Sequence, residues 1–107
     1  MAVLGEPQFV AINTAAGDTT LVAAQPAGVK IRVLSFLLVA AAAATVSFQS
    51  GTGGTQLTGA MTLAAGAQIN TDANPFGAFE TAAATLLNLH QAGVVQLSGF
   101  LIWCTAQ

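Results

Sequence analysis

Apolar residues along this chain come in short bursts separated by turn-forming clusters: Ala16-Gly17-Asp18, Pro26-Ala27-Gly28, Ser50-Gly51-Thr52-Gly53-Gly54, Ala65-Gly66, Asp72-Ala73-Asn74-Pro75 and Ala92-Gly93. Glycine, proline, asparagine and aspartate favour turns because they supply positive φ, a fixed φ or local side-chain hydrogen bonds. A usual spacing of roughly 8 to 12 residues leaves too little room for ordinary helices and suits the short strands of a sandwich or barrel. Phe9–Asn13 and Thr19–Ala23 are rich in the Val, Ile, Thr and Leu that pack well on a pleated surface, which predicts two strands with Asp18 in the turn between them. Val29–Val39 is apolar on both faces apart from Lys30, Arg32 and Ser35. A strand without a polar face needs cover on both sides, so a second sheet is expected on one side and another subunit on the other.

The alanine run Ala40–Ala44 favours helix by propensity, yet Thr45-Val46-Ser47-Phe48-Gln49 alternates and a glycine-rich stretch ends it. The predicted element is a β-hairpin: Val29–Val39, an alanine turn, then Thr45–Ser50. The small alanines would let another backbone approach this tip. Leu57–Leu63 alternates around small residues and predicts a strand with a close backbone neighbour at Gly59. Ala67–Asn70 reads as a short strand, and Asn74-Pro75-Phe76 as a turn leading into Gly77–Thr81. Glu80–Leu89 has a helical alternative in Ala82, Ala83, Ala84, Leu86 and Leu87, diluted by Thr81, Thr85 and Asn88. Leu86–Leu89 and Val94–Trp103 close the chain. In the last segment Val95, Leu97, Leu101 and Trp103 share one face and Gln96 and Ser98 the other, until Phe100 and Ile102 make the second face apolar as well. The expectation is an all-β, single-domain antiparallel β-sandwich or jelly-roll-like fold over residues 9–107. Met1–Gln8 is expected to be an N-terminal arm that orders on contact with a partner.

Composition sharpens this picture. Of 107 residues 54% are hydrophobic and 6% charged, against about 25% charged in an average soluble domain. So little charge implies a surface made for contact with another macromolecule, because oligomer interfaces lose charge at their cores. Lys30 and Arg32 are the basic side chains. Two cations cannot neutralise a run of phosphates, which excludes nucleic acid as a partner and disfavours an anionic membrane surface. The apolar run Val33–Val46 follows those cations, but it falls short of the roughly 20 residues a spanning helix needs. It also lies too far from the N-terminus for a signal peptide, so no membrane partner is expected.

Candidate chemistry is sparse. Glu6, Asp18, Asp72 and Glu80 are scattered over different turns and segment ends, with no spacing that would converge a general acid and base. Asp18 and Asp72 read as turn formers. Glu80 stands out because it lies inside a motif of a chain that uses charge sparingly, and it is expected to pair with Arg32 or Lys30, within or between subunits. His90 and Cys104 carry no nucleophile signature around them. One His and one Cys do not reach the ligand count of a metal site. The stretch Gly51–Thr55 lacks the Gly-Lys-Ser/Thr of a phosphate loop. Cys104 reads as a small buried hydrophobe, and Trp103, on an apolar strand, as a core or interface residue. No catalytic, cofactor or metal site is expected, and the chain is read as not an enzyme.

Four motifs in order carry a resemblance. They are Val33-Leu34-Ser35; Val46-Ser47-Phe48-Gln49-Ser50-Gly51 with Leu57-Thr58-Gly59-Ala60-Met61; Asn74-Pro75-Phe76-Gly77 with Phe79-Glu80-Thr81-Ala82-Ala83; and Leu87-Asn88-Leu89 with Val95-Gln96-Leu97-Ser98-Gly99. Together they resemble small phage virion proteins of the head decoration, or cement, type. The resemblance implies a sandwich or jelly-roll subunit that forms a homotrimer. It implies a location on the outer surface of the capsid, where the trimer clamps the major capsid protein and stabilises the head. Related sequences tend to have Ala-Gly-Glu after Glu-Thr-Ala-Ala, where this chain has Ala84-Thr85, and the chain also carries His90-Gln91 before its final turn. Similar small β-proteins occur in tails and fibres, so a virion surface protein acting in host adhesion is the alternative.

Overall fold

A computed structural model describes residues 5–72, 74 and 77–107. The fold is all-β, with ten strands among the described residues: β1 (Gln8–Thr14), β2 (Asp18–Val22), β3 (Lys30–Ala40), β4 (Ala44–Ser50), β5 (Thr55–Gln56), β6 (Met61–Leu63), β7 (Gln68–Asn70), β8 (Phe79–Glu80), β9 (Leu87–Gln91) and β10 (Leu97–Ala106). They form two antiparallel sheets. The first runs β1-β10-β3-β7 with β8 also on β3, and the second runs β2-β9-β4-β5 with β6 also on β4. The first strand therefore pairs with the last and the second with the next to last, which is the rolled-up ordering of a jelly roll.

Alternation builds the core. Ile12, Val33, Phe36, Leu38, Leu97 and Leu101 point inward from the first sheet and meet Val46, Phe48, Leu87 and Leu89 of the second. Phe36 and Phe48 touch across the sandwich with ring centroids 4.9 Å apart, and Phe79 lies 5.3 Å from Phe48. β3 reads as apolar on both faces partly because a bulge resets its alternation. Val33 faces Trp103 and Ser35 faces Ile102, so Leu34 is an extra residue. Ile31 and Val33 point inward before the bulge, Phe36, Leu38 and Ala40 after it.

The structure corrects two sequence-based expectations and closes one alternative. β3 and β4 do not form a hairpin, because they belong to opposite sheets. Both must present an apolar face to one core, and Ala41–Ala43 form the corner that carries the chain across. That corner is held by Ala41 N–H donating to Gln96 O at 3.0 Å and by Gly66 N–H donating to Ala40 O at 2.7 Å. Leu57–Leu63 is not one strand. Its strand content is β6 alone, which pairs with β4 apart from the preceding β5, and a side chain at Gly59 would meet open space. The helical alternative over Glu80–Leu89 gives way to a turn and a strand. Ala82 N–H donates to Ser50 Oγ at 2.9 Å and Ala84 N–H to Val29 O at 2.9 Å, so tertiary bonds override alanine's propensity. Of the turn at Asn74-Pro75-Phe76, Pro75 and Phe76 lie outside the described residues, and Gly77 N–H closes on Asn74 O at 2.9 Å.

At the N-terminal end, Gly5 N–H donates to Thr105 O at 2.8 Å and Gln8 already belongs to β1. Residues 5–8 of the expected arm thus run beside β10, and residues 1–4 lie outside the described set. No helix among the described residues is long and apolar enough to cross a membrane; Val33–Val46 is spent on β3, the corner and β4.

Candidate functional site

The motif Phe79-Glu80-Thr81 shows why those residue types stand together. β8 is too short to hold itself on the sheet edge, so each side chain fixes it in a different direction. Phe79 points into the aromatic cluster with Phe36 and Phe48. Glu80 points outward, where its Oε2 accepts from Arg32 Nη2 at 2.9 Å and Nε at 3.2 Å, while Lys30 Nζ stands 3.7 Å from Oε1. Thr81 is buried: its Oγ1 accepts from Ile31 N–H at 3.1 Å and donates to Ala82 O at 2.9 Å, and its own N–H donates to Ile31 O. The structure thus brings Lys30, Arg32 and Glu80 together within one chain, with two cations sharing one carboxylate. The Arg32 stem crosses Gly77, which has φ of 92° and where a Cβ would come within 2.5 Å of Arg32 Cγ, so this position requires glycine. A shallow cleft of about 210 Å³ opens here, lined by Arg32, Gly77, Ala78, Phe79 and Glu80.

A second polar group lies on the outer face of the other sheet, and sequence reasoning missed it. Asp18 opens β2 opposite His90 of β9, which in turn lies opposite Ser47 of β4. Asp18 Oδ1 accepts from Asn88 Nδ2 and pairs with His90 Nδ1, each at 2.9 Å. Asn88 Nδ2 also donates to Gln49 Oε1 at 2.9 Å, and that oxygen accepts from Gly53 N–H at 3.1 Å. The network ties three strands to the glycine-rich turn. Hydrogen bonds from Asn88 and His90 hold the Asp18 carboxyl below its ordinary value of 3.8, against a smaller opposing effect of desolvation. The partners sit some seventy positions away in sequence, and only the β2–β9 register reveals them. A row of Asp, His and Ser suggests nucleophilic chemistry. Ser47, however, is 2% exposed and makes no hydrogen bond to His90 among the described residues.

Trp103 joins the core and Cys104 is buried beside it. Burial pushes the Cys104 thiol above its usual value, with Arg32 pulling weakly the other way. A free thiolate nucleophile is disfavoured in such a place.

The remaining surface feature is apolar. Phe9, Leu37, Val39, Phe100 and Ile102 stand outside the core cluster, on the outer face of the first sheet. Phe9 and Phe100 stack with centroids 6.0 Å apart.

No family model matches the chain, and no curated protein matches it. Solved structures do. The fold is similar to that of a pilus protein. This is a chain of the Bacillus endospore appendages, described as disulfide-linked pili, with a TM-score of 0.54 at 14% identity over 97% of this chain and 86% of that one. Two viral proteins align more loosely. The virus-like particle of the extra small virus of the prawn Macrobrachium rosenbergii gives a TM-score of 0.44 at 14% identity, over 95% of this chain and 79% of that one. The Tobacco streak virus coat protein gives 0.44 at 13% identity, over 92% and 85%. At these identities the likeness concerns the sandwich itself, and what the surface does has to be argued from this chain's own residues.

Proposed function

We propose that this chain is a structural subunit of a phage particle: a head decoration, or cement, protein that binds the outer capsid surface as a homotrimer and stabilises the head. The observation that carries the reading is the disposition of its surface. One outer sheet face is apolar, and the ionisable groups Lys30, Arg32, Glu80, Asp18 and His90 are engaged in pairs that fix strands to one another. Such a molecule is built to be covered, and its polar groups serve packing, which also favours a non-enzymatic role. The virion motifs fit the same view, since Phe79-Glu80-Thr81 docks an edge strand. Its mechanism would be linkage: a ligand that binds the assembled shell and not its dissociated subunits stabilises the shell according to occupancy. The major capsid protein is the proposed partner.

The test is to add the purified protein to emptied heads that lack it and to read their melting temperature. A rise that saturates with hundreds of copies per particle supports cementing, and saturable binding with no rise removes the mechanism.

The pilus likeness favours a second reading, a subunit of a tail, fibre or other adhesive surface structure. A disulfide-linked filament is not available to this chain without opening β10, because its one cysteine, Cys104, is buried. Copy number separates the readings, since an adhesive tip is present in a few to a few tens per particle.

A further inference from the structure

The two outer faces of the sandwich are not alike. The second sheet carries Asp18, Gln49, Asn88 and His90 outward, bonded among themselves or to the glycine-rich turn, with Ser47 beside them. The first sheet carries Phe9, Leu37, Val39, Phe100 and Ile102, none of which belongs to the core. Register interleaves them into one patch, with Phe9 opposite Ile102 and Phe100 opposite Leu37. Phe9 is 64% exposed. Charge is confined to one end of the patch, at Lys30, Arg32 and Glu80. At the other end Gln96 Nε2 donates to Asn13 Oδ1 at 2.8 Å beside Ser98. An apolar centre with a hydrogen-bonded and ionic rim is the layout of a protein–protein interface.

Size and strand chemistry say what covers it. The molecule measures 42 × 26 × 20 Å, so the outline of its broad face, on the order of 1,100 Å², is an upper bound that leaves room for the ~800 Å² per partner of a standard stable interface. Permanent contacts between copies are the more apolar class of interface. β1, which carries Phe9, is an edge strand paired on one side with β10; Glu6 and Pro7 stand just before it, and its own sequence QFVAINT has neither charge nor proline. An edge without lysine, proline or a bulge is not protected against approach by another chain. We infer that the outer face of the first sheet, centred on Phe9 and Phe100 and bordered by the β1 edge, is the surface by which a second copy of this chain packs. The inference rests on the proposed self-assembling role and assigns the capsid-binding contacts to other surfaces.

The experiment is sedimentation equilibrium of the full chain across a concentration series, with melts by circular dichroism as a check on folding. Ala11 is exposed on the same face, so Ala11→Glu places a charge in the patch without removing a core contact; Phe9→Asp does the same at its most exposed ring. Val94 is 77% exposed in the loop before β10 and serves as the control, as Val94→Asp. The expected result is an oligomeric wild type, a dissociation constant raised at least tenfold in Ala11→Glu and Phe9→Asp, and no change in Val94→Asp. Folded Ala11→Glu and Phe9→Asp chains that associate as tightly as wild type would overturn the inference and leave the cement reading standing. A wild type that is monomeric at every concentration also overturns it. If that monomer still binds heads and Ala11→Glu abolishes the binding, the face belongs to the capsid; if it leaves heads unaffected, the cement reading fails too.

Discussion

At the scale of single residues, the side chain that draws attention in the sequence is not the one whose loss should cost most. Glu80 is partly exposed and shares its carboxylate between Arg32 and Lys30, and ion pairs of that kind contribute about 1 kcal/mol or less. Thr81 is buried, and its hydroxyl satisfies the Ile31 N–H. Thr81→Val keeps the shape but strands that donor, which costs about 1–3 kcal/mol. Urea unfolding should therefore rank Thr81→Val below Glu80→Gln in stability; the reverse order would mean that the ion cluster, not the threonine, fixes β8. Asp18 gives a pH signature. Its folded pKa lies below the ordinary 3.8 because Asn88 and His90 bond the charged form. That stabilisation is complete above the unfolded value and disappears as pH falls through the folded one. Wild type should thus be more stable than Asp18→Asn at pH 6, with the gap in melting temperature narrowing below about pH 4. A gap that stays constant down to pH 2 would show that the carboxylate's charge is not its source.

At the scale of elements, strand positions were legible and strand partners were not. β1, β2, β3 and β10 were readable because each combines β-formers with alternation between turn clusters, and the doubly apolar β3 and β10 turned out to be adjacent central strands. The hairpin expected at Ala40–Ala44 failed for a general reason: period-two patterning says which face of a strand is apolar, not which sheet the strand joins. The Leu34 bulge was invisible for a related reason, since an inserted residue in an all-apolar run leaves no break in the pattern. Of the site, Glu80 and its cations could be singled out by scarcity of charge, whereas the Asp18 network depends on the β2–β9 register alone. The turn after β8 holds one more local conflict. Ala84 adopts φ of 55°, a conformation that costs a residue with a Cβ roughly 1–2 kcal/mol, and it is kept there by its bond to Val29 O. Glycine, which the resembled proteins tend to carry in this stretch, removes the cost but enlarges the unfolded ensemble. Ala84→Gly should be more stable by about 0.5–1 kcal/mol in denaturant titration. A loss of stability would mean that the alanine methyl packs usefully or that the turn relaxes.

At the scale of the whole molecule, the rolled topology makes closure the demanding step. Gln8 pairs opposite Trp103 and Thr14 opposite Leu97, so the β1–β10 seam joins the two ends of the chain, while β9 and β4 must also find partners far along it. Entropy must be lost before such contacts reward it, and folds dominated by distant pairings take roughly milliseconds to seconds to form. β3, β4, β9 and β10 supply Phe36, Phe48, Leu89 and Leu101 to the hydrophobic core, which makes these four strands the expected nucleus. β1, an edge strand contributing Ile12 to that core, would then dock after the transition state. Ile12→Val should lower stability by about 1 kcal/mol, as expected for one methylene lost from a packed site. If docking is late, nearly all of that loss belongs in the unfolding rate, with the folding rate almost unchanged. Stopped-flow chevrons in dilute solution, where association does not contribute, measure both limbs. A loss that falls mainly on the folding limb would place the β1–β10 seam in the nucleus, and closure of the chain ends would then be the first organising event and not the last.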